Sequence, residues 1–437
     1  MGTGLLNIGQ RRRGPAEGVS ADSAFPRRDG VLRCGEVSLE ALVQEYGTPL
    51  YVYNGDRILE RFHAVRDAFA PLDLVIAYSV KANPNLAVLR LLGGAGAGAD
   101  IVSGGELYRV RHAGIDPERV VFAGVGKTRD EMRYALEQGI MAFHVESAQE
   151  LVALGEVARD AGVTAPVAVR VNPDVRSPTH EFTRTGHASA KFGVSPDEAV
   201  DLYRAIVEHT ALSAVGVNVH IGSQIREPRP FLAALDVVLE VADRVLRDSG
   251  TDLRYVDLGG GFGIADGEAG ALDIRALAAG VAARLEGRSL TLILEPGRFL
   301  VGDAGALLTR VLYLKRSGGK TFVITDAGMT ELIRPSHYGG VHAISLVHDS
   351  DKGSVERVDI VGPVCEQGDF LARDWRLPVP SPGALICVRQ AGAYGFTMAS
   401  NYNSRPRPAE VLVHGGRPTL ARRREEYGDL IRGERDD

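Results

Sequence analysis

Cysteine is scarce in this chain, and its spacing excludes several classes of protein. Only Cys34, Cys365 and Cys387 occur in 437 residues. They form no Cys-x-x-Cys pair and no metal-ligand spacing, and an odd count gives no disulfide framework. No metal site is expected, and a reducing, cytoplasmic compartment fits this usage. Long hydrophobic runs are missing too: no stretch approaches the ~20 apolar residues of a membrane span. The opening segment reaches Arg11-Arg12-Arg13 with no signal-peptide core after it, and position 6 is Leu, not the Ser or Thr of a myristoylation site. Basic charge is not in excess either. Fifty Lys and Arg against 56 Asp and Glu leave a net −6. That balance argues against nucleic acid or an anionic membrane as partner and is silent on small ligands.

What is present is a large core-forming fraction, 45% hydrophobic against 24% charged, in a chain long enough for two domains. Residues 1–29 carry Gly, Arg and Pro without periodicity and read as a flexible arm. Within 30–53, Val31–Cys34 reads as a strand, Ser38 to Gly47 as a capped helix and Leu50–Tyr53 as a second strand; this segment is expected to join a later β domain. After an amphipathic helix over 56–69 a rhythm sets in. Apolar runs at 74–80, 99–102, 119–123, 141–145, 166–171, 214–220, 254–258 and 291–295 each precede a helical pattern. Eight such repeats predict an α/β fold, a closed (β/α)8 TIM-like barrel over 54–309, with an open doubly wound sheet as the alternative. Beyond 310 strands follow one another without long helices, at 321–325, 343–347, 358–361, 384–388 and 409–413, with a hairpin turn at His414-Gly415-Gly416-Arg417. Residues 310–437 therefore read as a mostly antiparallel β-sandwich or barrel domain, with a charged tail over 420–437 that frays.

The residues with chemistry fall at the C-terminal ends of barrel strands, where such enzymes place their sites. Lys81, in Tyr78-Ser79-Val80-Lys81-Ala82-Asn83-Pro84, ends the first run; Asn85 is placed to cap the next helix. Burial pushes a lysine amine toward its neutral, nucleophilic form. His220-Ile221-Gly222-Ser223 ends the sixth run, Gly259-Gly260-Gly261 follows the seventh, and Glu295-Pro296-Gly297-Arg298 ends the eighth. A glycine turn lets backbone N–H groups approach an anion, and Arg298 adds a fixed positive charge. A phosphate site with a lysine nucleophile points to pyridoxal 5'-phosphate (PLP), whose aldehyde forms a Schiff base with lysine. Glu295 is suited to pair with its ring nitrogen and His220 to stack on its ring.

The order Tyr-x-x-Lys-Ala-Asn, His-Ile-Gly-Ser, Gly-Gly-Gly, Glu-Pro-Gly-Arg resembles the barrel-type (fold type III) PLP-dependent decarboxylases. Asp326-Ala327-Gly328-Met329, Gly362-Pro363-Val364-Cys365-Glu366 and Gly392-Ala393-Tyr394-Gly395 are similar to the diaminopimelate decarboxylase family in particular. The match runs from about residue 31 to 431. The resemblance implies decarboxylation of meso-2,6-diaminopimelate to L-lysine and carbon dioxide, the last step of lysine biosynthesis. It implies that Lys81 holds PLP, that His220 stacks on it, and that Ser223, Gly261 and Gly297 bind phosphate with Tyr394 alongside. Glu295 would face the pyridine nitrogen. Arg298, Arg334 and Tyr338 would take the substrate's distal carboxylate, Cys365 would donate a proton, and Glu366 would meet the distal ammonium. In such relatives Cys365 and Glu366 reach the other subunit's site, which implies a homodimer with shared sites and a small-molecule amino-acid substrate.

The residues fit that substrate: a diacid with two ammonium groups needs a cation and an anion for the groups that stay, and Arg334 and Glu366 form such a pair. An ornithine- or arginine-type enzyme would not need Arg334 and usually has Asp after the cysteine. A carboxynorspermidine-type decarboxylase, a racemase and a non-catalytic PLP-binding protein are the other readings. Two departures stand out: Asn218 where many relatives have histidine, and Ser79 where alanine is common.

Overall fold

The computed structural model describes residues 24–175, 191–265, 269–349 and 353–435. The eight apolar runs form eight parallel strands: Leu74–Ser79, Gly98–Ile101, Val120–Phe122, Ala142–Val145, Ala165–Val171, Leu212–Val219, Tyr255–Asp257 and Thr291–Leu294. Each pairs with its sequence neighbours, and the eighth returns to the first through Leu292 opposite Leu74 and Leu294 opposite Ile76. That pairing makes a closed barrel, not an open doubly wound sheet.

Local chemistry starts the intervening helices. Asn85 accepts from the Ala87 N–H at 2.9 Å, and Ser103, Thr128, Ser147 and Ser195 cap the helices that follow them. Each such cap is worth about 1 kcal/mol. After the eighth strand only a single helical turn forms, Arg298–Val301. The helix Gly55–Ala68, which precedes the first strand, fills the eighth place between Leu86–Gly94 and Ile274–Leu285.

Side chains alternate in and out along a strand, so every second residue fills the barrel. The lower filling is apolar: Val75, Ala77, Val121, Ala142, Ala168, Val215, Tyr255 and Ile293 form their own buried cluster. Two residues further along the strands the filling turns polar. Ser79, Asp100, His144, Arg170, Asn218, Asp257 and Glu295 are all buried there. Polar side chains inside a barrel are costly unless paired, so this layer marks where the fold gives up stability for a site.

The second unit is a nine-stranded, mostly antiparallel sheet. Its spine is Gly305–Ser317, which pairs with Lys320–Thr325 along one half and with Leu50–Asn54 and Leu385–Arg389 along the other. Two pairings are parallel, Lys320–Thr325 with Val355–Val361 and Leu50–Asn54 with Ala409–His414. After the barrel the chain thus re-enters this sheet at Gly305, earlier than residue 310. The expected flexible arm lies outside the described residues as far as 23. From Ala24 onward it is packed: Phe25 is buried, and Arg27–Arg28 pairs with Val31–Cys34. Nor does the tail fray from 420. Arg417–Arg422 pairs with Ala409–His414, and the Arg424 guanidinium donates to the Tyr46 and Pro49 carbonyls.

Candidate active site

Lys81 lies in a single 3-10 turn, Val80–Ala82, just past the end of the first strand. Its Nζ donates to Asp100 Oδ2 at 2.5 Å, and the Ser79 hydroxyl lies 2.7 Å from the same oxygen. Asp100 is fully buried, whereas the Lys81 side chain keeps a third of its surface exposed. Here the expectation of a neutral amine needs correction. Burial does push the Lys81 amine down, but the charge of Asp100 foremost outweighs it and holds the amine protonated above its ordinary range. The missed signal was Asp100, two residues along an inward-facing row from Gly98. Nearby Glu106 is pushed up to about 7, chiefly by burial.

The other strand ends converge on this turn. A side chain at Gly297 would strike the Ser79 and Ala82 Cβ positions, at 2.9 and 3.1 Å, so the eighth-strand loop lies directly against the lysine turn. A Cβ on Gly260 would come within 2.0 Å of the Glu295 carbonyl, and one on Gly261 within 1.9 Å of the Gly222 carbonyl. The glycine turn is therefore wedged between the His220–Ser223 loop and Glu295, and no larger residue fits. The Gly259 N–H donates to Asp257 Oδ1 at 2.8 Å, and the Gly260 N–H to His220 Nδ1 at 3.1 Å. Those two donors, expected to face a ligand, are turned inward to protein acceptors. Gly261 has φ +91°, in the region that favours glycine, and its carbonyl accepts from Ile225.

Accepting at Nδ1 leaves His220 its proton on Nε2. Burial, with Arg170 and Lys81 nearby, holds its pKa well below the usual range, so the ring is neutral. His220 Nδ1 is 4.0 Å from Glu295 Oε2. Glu295 is buried, and burial together with Asp100 and Asp257 pushes its carboxyl well up. Asp257 is pushed up to about 7, burial again leading. His144, 0% exposed, reaches both, 3.6 Å from each, and is held neutral by burial and by Lys127, Arg170 and Lys81. His144 and Arg170 escaped the reading of the sequence. The signal was a polar residue two positions after an apolar inward one.

A cationic and aromatic group faces the lysine turn from the β unit and from the turn after the eighth strand, which carries Arg298. The Tyr394 N–H donates to the Ala82 carbonyl at 2.8 Å, and Asn83 Nδ2 to that of Gly392 at 3.1 Å. Tyr394 carries the Arg298 guanidinium over its ring at 4.8 Å and that of Arg334 at 5.9 Å; Arg334 also lies 5.5 Å from the Tyr338 ring. Arg298, Arg334, Tyr338 and Tyr394 thus gather beside Lys81. Cys365 and Glu366 do not join them. Both are exposed, on a loop pinned by Asp369, which accepts from the Val364 and Met329 N–H groups. Among the described residues no hydrogen bond, ion pair or ring contact links either to the Lys81 group.

The family profile described as "Pyridoxal-dependent decarboxylase, pyridoxal binding domain" matches residues 55–302. The chain is 47% identical over 410 residues to a diaminopimelate decarboxylase of Pseudomonas aeruginosa, covering 94% of this chain and 98% of that one. It is 47% identical over 408 residues to one from Aquifex aeolicus, covering 92% and 96%. Among solved structures, diaminopimelate decarboxylase from Helicobacter pylori complexed with L-lysine superposes with TM-score 0.87 at 39% identity, covering 90% of this chain and 98% of that one. The lysine complex of the enzyme from M. jannaschii gives 0.89 at 35% identity, covering 95% and 98%.

Proposed function

The chain belongs to the diaminopimelate decarboxylase family of pyridoxal-dependent decarboxylases, and from that premise we propose that it converts meso-2,6-diaminopimelate to L-lysine and carbon dioxide, using PLP. The observation that carries this reading is the meeting of Lys81, neutral His220, buried Glu295 and the Gly259–Gly261 turn at one barrel mouth, under a cation–aromatic group of Arg298, Arg334, Tyr338 and Tyr394. The residues fit PLP. A carboxylate that burial makes costly has a use opposite a pyridinium nitrogen, a neutral imidazole can lie flat on the ring, and a tight glycine turn leaves room for phosphate. Gly261, Ser223 and Gly297 would hold that phosphate with Tyr394, while Gly259 and Gly260 shape the turn.

When bound, PLP supplies an aldehyde that captures amines and a ring that accepts the electron pair left by carbon dioxide. The protein does the rest. Lys81 Nζ would tether the cofactor, and Asp100, its hydrogen-bond partner, would take up or return the proton of that amine. Arg334 holds the distal carboxylate, with Arg298, Tyr338 and Tyr394 around it. That leaves the carboxylate at the D centre exposed to loss. Cys365 Sγ returns a proton to the α carbon, and Glu366 binds the distal ammonium. Both come from the second subunit of a homodimer, in keeping with their exposure here. We place the enzyme in the cytoplasm. Among the described residues no helix is long and apolar enough to cross a membrane.

The test is a product assay on purified chain with PLP, offering meso-diaminopimelate, ornithine and arginine side by side. L-lysine and carbon dioxide from the first alone are expected; equal turnover of ornithine contradicts the substrate. Arg334→Ala should raise KM for diaminopimelate by the equivalent of about 2–4 kcal/mol, the cost of losing a charge-assisted pair. An unchanged KM removes Arg334 from the site. Mixing Lys81→Ala with Cys365→Ala subunits should restore about half of the activity per mixed dimer, since one of its two sites is intact. No recovery in verified heterodimers contradicts sharing.

A further inference from the structure

Below Glu295 the barrel holds a histidine that the reaction above does not use. His144 projects inward from the fourth strand, fully buried. Its Nδ1 is 3.6 Å from Glu295 Oε1, and its Nε2 is 3.6 Å from Asp257 Oδ2 and 3.4 Å from the Tyr255 hydroxyl. Asp257 Oδ1 accepts from Gly259, Glu295 Oε2 faces His220, and the two carboxyl groups also interact directly with each other. His144 Nδ1 and Asp257 Oδ2 are buried and make no hydrogen bond among the described residues. Both therefore point into the same triad. The separations are somewhat beyond hydrogen-bond length, as polar groups in a site often are before it is loaded.

A neutral imidazole carries one N–H and one lone pair, so it can donate to one carboxyl group while accepting from the other. Two arrangements have equal charge. In the first, Glu295 is protonated and donates to Nδ1, while Nε2–H donates to ionised Asp257. In the second, Asp257 is protonated and donates to Nε2, while Nδ1–H donates to ionised Glu295. We propose that His144 is a positioning residue that exchanges these two states, handing the Glu295 proton to Asp257 when a pyridinium takes its place opposite Glu295. The Glu295 O–H bond breaks as the Nδ1–H bond forms, and the Nε2–H bond breaks as the Asp257 O–H bond forms. One proton leaves each donor and one reaches each acceptor, and the ring is neutral at start and finish.

The surroundings favour this over the alternatives. Ionising Asp257 and Glu295 together, with Asp100 also close, sets like charges in a region of low dielectric. Charging the imidazole instead is opposed by Lys127, whose Nζ donates to the His144 carbonyl, and by Arg170 and Lys81. Because the Gly259 N–H donates to Asp257 at 2.8 Å, which favours the ionised form there, the first arrangement belongs to the cofactor-free chain. Asn218 Nδ2, 3.5 Å from Glu295 Oε1, adds a donor to the same carboxyl group without adding a charge.

The inference rests on PLP binding at this site, and its test separates the two. The chain is labelled with 15N-histidine, and the His144 ring signals are identified by their loss in His144→Gln. A neutral ring protonated on Nε2 is expected without PLP, and one protonated on Nδ1 after PLP is added. PLP that binds with no change of tautomer, or with an imidazolium, overturns the exchange while leaving the cofactor reading intact; no PLP binding by the unaltered chain overturns both. As a second measurement, His144→Gln and Asp257→Asn should each weaken PLP binding about tenfold, and the double variant no more than either alone, because they interrupt one path. Additive losses contradict the proposal.

Discussion

Replacing Lys81 by alanine is expected to lower kcat by about 10³-fold or more and to remove the cofactor's characteristic absorption in the bound state. The amine is both the tether for PLP and the group the substrate displaces. The variant carries a structural cost as well. Asp100 is 0% exposed and would keep only the Ser79 hydroxyl from its present pair of partners. Leaving a buried carboxylate without its cation costs several kcal/mol in a dry interior; here about 1–3 is expected, because Lys81 is one-third open to water. Lys81→Arg separates the two effects. It keeps a cation for Asp100 but offers no nucleophilic amine, so the melting temperature should stay near that of the unaltered protein while turnover is lost. Turnover within tenfold of normal in either variant contradicts the assignment.

Glu295→Gln is expected to cut kcat by about 10²–10³-fold, the scale of removing one preorganised charge from a developing transition state. Its effect on the cofactor-free chain should be opposite in sign. Burial and the neighbouring Asp100 and Asp257 raise the Glu295 carboxyl well above the usual range. In the folded chain it therefore keeps its proton at pH values where the unfolded chain has lost it. The stability this contributes is fully present below the ordinary carboxylate value and is lost as pH rises toward the folded one. The glutamine variant has no such loss. Melting curves should be similar in mild acid, and the variant should become the more stable of the two as pH rises. A kcat within threefold of normal removes Glu295 from the reaction; a variant that becomes less stable with rising pH contradicts the raised carboxyl.

The barrel was legible because its signals are local. Eight short apolar runs and capping residues such as Asn85 and Ser195 act within a turn or two of the chain, and the structure forms strands at all eight runs. The long strand Gly305–Ser317 was not read, because its partners Leu50–Asn54 and Leu385–Arg389 are far away in sequence. The motif residues around Lys81, His220 and Glu295 were legible for the same reason as the strands, each lying just past the end of one. Asp100, His144 and Arg170 were not, since each sits inside a strand-like run and reads as an interruption of apolar residues. Their meaning comes only from closure, which turns every second residue of eight strands toward one axis. The state of Lys81 was misjudged on the same account: burial alone predicts a neutral amine, and Asp100 on the adjacent strand reverses it.

The account depends on Lys81 being the cofactor's point of attachment, and a second buried lysine offers an internal comparison. Lys127 Nζ is fully engaged by the Gly124 and His144 carbonyls and Glu150, at 2.7, 2.8 and 2.7 Å, and its side chain is 1% exposed. Borohydride reduction of the PLP-loaded protein, followed by digestion and mass mapping of the lysine peptides, reads the attachment site directly. The phosphopyridoxyl mass on the peptide containing Lys81, and on no other, is the predicted result. The same mass on Lys127, or on no lysine at all in protein that turns over substrate, contradicts it.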